Sequence, residues 1–250
     1  MTTSNPIAIL SALAEEQQGL VDQLQTPNCI QHAGRDFWVG ELYGQQVVLA
    51  LSRIGKVAAA ITASALISHF QVRAIVFTGV AGGVGSGVQV GDVVVASGFV
   101  QHDMDASPLF PRYEIPLTGQ SVFATDAALT SLLQQACESA LSELLNLERS
   151  PQLHHGLIAT GDRFVNGVQE VGAMVNTLMA HGHTALAVEM EGAAVAQVCS
   201  DYGISFAAVR TISDRADDTA HVDFPVFVSD VASVYANHIV LAFLQALPKI

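Results

Sequence analysis

The sequence predicts an α/β fold: a single domain with a central mixed, largely parallel sheet that is flanked by helices on both faces. Strand-like and helix-like segments alternate along the whole chain. Several strand segments, such as AIVFT at residues 74–78, are uniformly apolar, which is typical of strands covered on both faces. No repeat, low-complexity tract or linker interrupts the pattern, so residues 1–250 are predicted to form one domain.

The strands are predicted from short apolar runs bounded by turn residues. Tyr43 and Gly44 separate two such runs, which predicts a hairpin. The glycine-rich segment 79–87 follows a strand, but no GK[ST] comes after it, and the chain returns to a strand without a helix. That segment either is a tight turn or lets a ligand approach the backbone. The predicted strands are residues 6–10, 37–42, 46–51, 74–78, 92–96, 157–160, 186–188 and 206–212.

The helices are predicted from longer apolar patterns and from their first residues. Thr125 and Asp126 are suitable caps, and Pro225 stands at a first-turn position that tolerates proline. Residues 103–122 hold three prolines and no clear period, which predicts a long loop. The predicted helices are residues 11–24, 56–70, 125–145, 168–181, 192–199 and 225–247.

Composition narrows the function class. Half of the residues are hydrophobic and 13% are charged, so the chain can bury a large core. The net charge is −13 and no basic run occurs, which argues against a nucleic acid or an anionic membrane as partner. No signal-peptide pattern or membrane-length apolar stretch is present, and the three cysteines are far apart. We therefore expect a soluble, cytoplasmic protein.

Polar clusters follow several predicted strands, where ligands of open α/β sheets bind. Glu15 and Glu16 follow the first strand, although acids there could simply favour the start of a helix. The HDMD stretch at 102–105 offers metal-ligand types, but such short spacing is weak support, so we expect no metal. The glycine-rich segment 79–87 is a further cluster.

The stretch AVEMEGAAVAQVC holds two acids in an apolar setting, where a carboxylate is costly unless it is paired. Glu189 and Glu191 would share one face and could bind two neighbouring hydroxyls. Alternatively, one is exposed and the other binds backbone amides. In RTISDRADD, Arg210 and Asp214 stand around a strand end, where they could be working groups or form a helix cap.

The candidate groups are carboxylates, an arginine, glycines and aromatics. No nucleophile elbow and no HExxH motif is present. This set favours acid/base chemistry on a neutral organic substrate.

The chain from about residue 8 to residue 247 resembles the 5′-methylthioadenosine/S-adenosylhomocysteine nucleosidases of the nucleoside phosphorylase superfamily. The resemblance implies a nucleoside phosphorylase-like fold, hydrolysis of the adenine–ribose bond, no cofactor and a homodimer. The motifs that carry it are SALAEE (11–16), SRIGKVAAA (52–60), TGVAGG (78–83), VGDVVVA (90–96), HDMD (102–105), TGDRFVNG (160–167), VEMEGAAVAQVC (188–199) and RTISDRAD (210–217).

The same resemblance implies roles for individual residues. Glu16 would activate the attacking water, and Asp214 would protonate adenine at N7. Glu191 would bind the ribose hydroxyls beside the backbone of Met190, and Glu189 matches the motif with a less clear role. The other implied binding residues are Phe164 stacked on adenine, the Val165 backbone at its edge, Arg210 holding Glu191 and the water, Ser213 supporting Asp214, Ile54 and Phe224 at the alkylthio end, and Val80, Ala81 and Gly82 in the glycine motif.

Three alternatives stay open from the sequence. A purine nucleoside phosphorylase would need cations for phosphate, and neither SALAEE nor FTGVAGG contains arginine, although Arg53 could bind phosphate. A non-catalytic nucleoside-binding protein would be expected to lack an acid at position 16 or 214. The sequence departs from the family pattern in the 103–113 loop and at Val80, which replaces a serine of some members. These two departures leave aminodeoxyfutalosine and 5′-deoxyadenosine as possible substrates.

Overall fold

The computed structural model describes residues 5–143, 150–216, 227 and 231–248. Ten strands lie in these ranges, in one mixed sheet. Their pairings include parallel and antiparallel neighbours in equal number. The strands are β1 (Ile7–Ser11), β2 (Gln25–His32), β3 (Arg35–Leu42), β4 (Gln45–Leu51), β5 (Ala74–Gly83), β6 (Val93–Gln101), β7 (Val122–Ala124), β8 (Leu153–Thr160), β9 (Ala185–Glu189) and β10 (Ser205–Asp214).

Helices cover both faces of this sheet, as predicted. One apolar core packs under α2 and α5, and a second packs under α1, α3 and α6. None of the described helices is both long and apolar enough to span a bilayer. The helices are α1 (Ala14–Val21), α2 (Lys56–Ser68), α3 (Ala127–Glu143), α4 (Val168–Ala180), α5 (Gly192–Tyr202) and α6 (Ser233–Ala246).

Strand β1 shows why its sequence is uniformly apolar. Ala8 and Leu10 lie in the core beneath α2 and α5, whereas Ile7 and Ile9 lie in the core on the opposite face. Successive side chains of a strand point to opposite faces, so a strand covered on both sides needs an apolar residue at every position. This strand pairs in parallel with β4 and β5.

Part of the sheet closes on itself. Strand β5 pairs with β10, β10 with β6, β6 with β8, β8 with β9, and β9 again with β5. Strands β1, β4, β3 and β2 continue outward from β5. Because β1 and β10 flank β5 and run parallel to it, their carboxyl ends point to the same edge of the sheet, with β1 ending opposite Thr78 and β10 opposite Gly82.

The element boundaries differ from prediction in several places. Strand β5 continues through Gly83, so the glycine-rich segment is partly strand rather than only a turn. Strands β2 and β7 were not predicted. β2 is a mostly exposed edge strand with polar residues and Pro27, so its sequence lacks an apolar alternation. The predicted hairpin at Tyr43 and Gly44 is confirmed, and both residues have positive φ.

The closing helix α6 is described from Ser233. The prediction that it starts at Pro225 lies outside the described residues, as does Phe224. The described part of the helix buries Tyr235, Ile239 and Phe243 against the second core. Its packing therefore agrees with the predicted role of a covering helix.

Candidate active site

A cleft of about 720 Å³, partly open to solvent, lies at the carboxyl ends of β1, β5 and β10. Most of the residues predicted for the site line it. It also includes Ala12, Leu13, Arg163 and Val188, which were not predicted. The predicted residues that line it are Ile54, Val80, Ala81, Gly82, Phe164, Val165, Glu189, Met190, Glu191, Ser213 and Asp214.

Glu16 lies behind the cleft wall formed by Ala12 and Leu13. Its side chain is fully buried, and one carboxylate oxygen accepts hydrogen bonds from the backbone N–H groups of Ala12 and Leu13, both at 3.0 Å. The other oxygen, Oε1, has no hydrogen-bond partner among the described residues. The strand-to-helix turn therefore fixes the carboxylate and leaves one oxygen able to hold a water.

The environment of Glu16 also sets its protonation. Burial raises the pKa of Glu16 to about 7, against the opposing hydrogen bond from Leu13 and the charge of Arg210. A carboxyl group with a pKa near neutrality can take a proton from water without being locked in one state. Glu16 thus combines a buried oxygen that has no partner among the described residues with the proton affinity that a general base needs.

Asp214 is held at the end of β10, on the other side of β5. Its Oδ2 accepts a 2.8 Å hydrogen bond from the Ser213 hydroxyl, and its Oδ1 accepts a 2.7 Å bond from the Ala216 N–H. The Ser213 contact is the one that the family resemblance implies. A Cβ on Gly82 would lie 3.0 Å from Asp214 Oδ1 and 2.9 Å from the Cβ of Ala216. Glycine at position 82 therefore lets β5 pass close beneath this carboxylate.

Glu191 is the first residue of the turn into α5, and its side chain is buried. Its Oε1 accepts a 2.9 Å hydrogen bond from the Gly55 N–H. Burial, followed by the neighbouring charge of Glu189, raises the pKa of Glu191 to about 8. The second oxygen is available to the cleft, so Glu191 presents a hydrogen-bonding group with high proton affinity to a ligand.

Glu189 has a different environment from Glu191. Its Oε2 accepts bonds from Arg210 Nη2 and from the N–H of Gly192, both at 2.8 Å, and its Oε1 accepts one from the Thr160 hydroxyl. A helix N-terminus and a buried guanidinium together stabilise an ionised carboxylate. Glu189 therefore connects β8, β9, β10 and α5, although it also touches the cleft.

Arg210 pairs with Glu189 and not with Glu191, which differs from the predicted contact. It is 1% exposed and is not among the residues that line the cleft. Its Nη1 donates to the carbonyl groups of Phe77 and Val209, and its guanidinium lies 4.0 Å from the Phe77 ring centre. Arg210 consequently acts from behind the cleft, through the position and charge of Glu189.

The apolar part of the cleft is formed by Phe164, Val165, Val188 and Met190. Among the lining residues, Phe164 is 42% exposed and Ile54 is 61% exposed. A planar aromatic ligand can stack on a rim phenylalanine, since offset stacking of rings is favourable. The cleft thus combines aromatic and aliphatic side chains with the carboxylates of Glu189, Glu191 and Asp214.

The HDMD stretch contributes to the frame of the site. Lys56 Nζ lies 2.6 Å from Asp103 Oδ1 and also donates a hydrogen bond to Gln101 Oε1, while Asp103 Oδ2 accepts a hydrogen bond from the Asp162 N–H. In the described ranges, no group of three or more metal-ligating side chains is close enough to hold an ion. This network joins the start of α2 to the ends of β6 and β8.

Two kinds of comparison bear on these observations. A family model described as the phosphorylase superfamily matches residues 6–245. A curated relative from Shewanella sediminis, named 5′-methylthioadenosine/S-adenosylhomocysteine nucleosidase, is 35% identical over 243 residues, covering 96% of this chain and 99% of the relative. The chain belongs to this nucleosidase family within the phosphorylase superfamily.

Solved structures of the nucleosidase family have the same fold. The Neisseria meningitidis nucleosidase in complex with methylthio-immucillin-A has a TM-score of 0.87 and 30% identity, and the match covers 98% of this chain and 100% of that one. Futalosine hydrolase of Helicobacter pylori has a TM-score of 0.84 and 31% identity, with coverage of 97% and 98%. The predicted fold and family are therefore confirmed.

The sequence did not predict the roles of two residues, Gly55 and Thr160, in the site of this nucleosidase. The backbone N–H of Gly55 holds Glu191, and the Thr160 hydroxyl both donates to Glu189 and accepts from the Ala193 N–H. Both residues lie inside quoted motifs, SRIGKVAAA and TGDRFVNG. Their positions were therefore visible as motifs, but the contacts join residues 29 to 136 positions apart in the chain and required the fold.

Proposed function

We propose that this protein hydrolyses the N-glycosidic bond of 5′-methylthioadenosine and S-adenosylhomocysteine, releasing adenine and the thioribose product. The observation that carries the proposal is the placement of two buried acids on opposite sides of β5. Glu16 follows β1 and Asp214 ends β10, and both strands pair with β5. Both strands run parallel to β5, so the two acids follow strand ends on either side of it at the same edge of the sheet.

Each acid has the chemistry for one half of the reaction. Asp214, in its protonated form, donates its proton to adenine N7, and the C1′–N9 bonding pair moves into the base as adenine leaves. The water held at Glu16 Oε1 attacks C1′, and Glu16 takes its proton. Asp214 has then lost one proton and Glu16 has gained one, and solvent restores both. Two acids in different environments can hold these opposite states at one pH.

The remaining residues bind the nucleoside. Glu191 accepts or shares hydrogen bonds with the ribose hydroxyls, and the Gly55 N–H fixes its orientation. Phe164 stacks on adenine, while the backbone of Val165 and Met190 lines the base and sugar positions. Contacts to the sugar that strengthen as cationic character develops accelerate the chemical step.

Water is the proposed nucleophile in preference to phosphate. A phosphorylase needs cationic donors beside C1′. Arg210 is engaged with Glu189 and two carbonyl groups, and Arg53 does not line the catalytic cleft. Glu16 supplies an acceptor rather than a cation at that position, which suits a water.

A second candidate is hydrolysis of adenine nucleosides with larger 5′ substituents, such as aminodeoxyfutalosine. The exposed Ile54 leaves the 5′ end of the cleft open, and the similarity to a futalosine hydrolase favours this possibility. The common step is the same cleavage of the bond to the base. Substrate ranking distinguishes the two candidates.

The first experiment is to incubate the protein with 5′-methylthioadenosine in phosphate-free buffer and again with phosphate, and to quantify adenine and the sugar. We expect adenine and free methylthioribose without phosphate. Glu16→Gln and Asp214→Asn should each reduce turnover about 100- to 10,000-fold. Release that depends on phosphate and gives a sugar phosphate would contradict the proposal and support a phosphorylase.

We also propose a homodimer and a cytoplasmic location. The exposed apolar side chains of Ile54, Val57 and Ile61 lie at the start and along one side of α2, where a second copy could cover them. Light scattering at working concentration should give twice the chain mass. A monomeric mass that does not change on a charged substitution at Ile61 would reject the dimer.

A further inference from the structure

The start of α2 donates two successive backbone N–H groups to carboxylates from other segments. The Gly55 N–H donates to Glu191 Oε1 at 2.9 Å, and the Lys56 N–H donates to Asp162 Oδ1 at 2.7 Å. Only the φ and ψ angles of Gly55 separate these two groups, since the peptide units on either side are planar. The bond to Asp162 therefore restricts the direction of the N–H group that holds Glu191.

Asp162 supplies the cap that α2 lacks in its own sequence. Gly55, the residue before the helix, has φ 94° and no side chain with which to bind the first N–H groups. Glycine also moves more freely in φ and ψ than other residues, so this turn needs a contact from outside. An aspartate oxygen at a helix N-terminus accepts an N–H group and interacts favourably with the helix dipole. Here that aspartate lies 106 positions along the chain from Lys56.

The segment that carries Asp162 is itself bound to the site. The Asp162 N–H donates to Asp103 Oδ2 at 2.9 Å, and Asp103 Oδ1 lies 2.6 Å from Lys56 Nζ. The preceding N–H, that of Gly161, donates to the carbonyl group of Glu189 at 3.1 Å. The loop after β8 consequently holds the backbone of one acid of the Glu189 and Glu191 pair and the turn that binds the other acid.

We propose that Asp162 is a positioning residue for ribose binding. By capping α2 it directs the Gly55 N–H at Glu191, and so it sets how strongly Glu191 holds the sugar hydroxyls. Asp162 is not among the residues that line the catalytic cleft, so its effect passes through Gly55. This inference rests on the proposed nucleosidase function, in which Glu191 binds the ribose.

The test compares the wild type with Asp162→Ala on two substrates. The first is 5′-methylthioadenosine, and the second is its 2′,3′-dideoxy analogue, which lacks the hydroxyls that Glu191 would bind. For 5′-methylthioadenosine we expect kcat/KM to fall about fivefold, the scale of one lost helix cap. For the analogue it should change by less than about twofold. The different lability of the two glycosidic bonds cancels, because each substrate is compared between the two proteins.

Two further variants separate positioning from a general loss of structure. Asp162→Asn keeps an oxygen that can accept from Lys56, so it should retain the wild-type ratio of the two kcat/KM values. Asp126→Ala is the matched control, because Asp126 caps α3 by accepting the Leu129 N–H at 2.9 Å beside the amino end of β10, away from the cleft. It should lower Tm and leave the ratio unchanged. The Asp162 side chain is 50% exposed, so its replacement should leave the protein folded.

An equal loss of kcat/KM for both substrates in Asp162→Ala would overturn the proposal, because the effect would not depend on the sugar hydroxyls. A loss in Asp162→Asn as large as in Asp162→Ala would also overturn it, since the hydrogen bond to Lys56 would not be the cause.

Failure of the proposed function gives a different result, in which the wild type releases no adenine from 5′-methylthioadenosine. The same ratio is then measured from the Kd values of adenosine and 2′,3′-dideoxyadenosine by calorimetry. Weaker binding of adenosine alone in Asp162→Ala would support the positioning role without turnover. Equal weakening of both nucleosides, or no change in either, would overturn it.

Discussion

The proton affinity of Glu16 should make the wild-type protein less stable at alkaline pH than a variant that cannot ionise at this position. The perturbation is Glu16→Gln, which keeps the shape of the protonated side chain. Its oxygen can still accept from the backbone N–H groups of Ala12 and Leu13. The variant therefore removes the titration with little change in packing.

The magnitude follows from the pKa. Burial raises the pKa of Glu16 from 4.5 to about 7. The folded protein therefore holds the proton more tightly than the unfolded chain, so this stabilisation is fully present below pH 4.5 and is lost as pH rises through 7. At about 1.4 kcal/mol per pH unit, the wild type should lose about 3 kcal/mol relative to Glu16→Gln across this window.

The assay is thermal unfolding of both proteins from pH 4.5 to pH 8.5. For a chain of this length, about 3 kcal/mol corresponds to about 6–12 °C in Tm. The difference between the two Tm values should grow with pH and level off above pH 7. Glu15→Gln is the control, because Glu15 is the exposed neighbour, and its profile should run parallel to that of the wild type.

Parallel profiles for the wild type and Glu16→Gln would refute the reasoning. They would mean that Glu16 titrates near its ordinary pKa, and that the buried oxygen is better solvated than its position indicates. The role of Glu16 as a general base with near-neutral pKa would then lose its physical basis. The activity of the variant would have to be explained in another way.

Other substitutions test Asp214 and the residues that position the carboxylates of the site. Asp214→Asn should keep the far-UV circular dichroism and Tm of the fold while adenine release falls about 100- to 10,000-fold; near-normal rates would remove Asp214 from the mechanism. Gly82→Ala should reduce kcat/KM, because its Cβ would crowd Asp214 Oδ1, whereas Gly172→Ala, with no atom within 4 Å of the added Cβ, should not. Arg210→Met should cost about 3–5 kcal/mol in urea unfolding by leaving Glu189 buried and unpaired; a loss below 1 kcal/mol would contradict the pairing.

The sequence predicted most of the buried elements of the fold and few of the exposed ones. Strands β1, β4 and β10 are apolar because both of their faces are covered, and this pattern is visible without a structure. Strand β2 could not be predicted because it is held by a single neighbour, β3, and faces solvent. Strand β7 has three residues, too few to show a period.

The candidate site was predicted more as a set of residues than as a set of contacts. Of its three acids, only Asp214 was given a partner that the structure shows, which is the Ser213 hydroxyl. The pairing of Arg210 with Glu189 instead of Glu191 depends on the register between β10, β5 and β9. Spacing along the chain cannot distinguish two acids that are two positions apart when both have apolar neighbours.

The turn from β9 into α5 explains why two acids stand so close in an apolar stretch. Glu189 accepts hydrogen bonds from Arg210, from Thr160 and from the N–H groups that open α5, so both of its oxygens have partners in the interior. Burial, and after it the neighbouring Glu189, raises the pKa of Glu191, which has a single N–H donor from Gly55. Glu189 therefore fixes the turn and contributes to the proton affinity of Glu191. We expect Glu189→Gln to lower the pKa of Glu191, which a pH profile of KM would record.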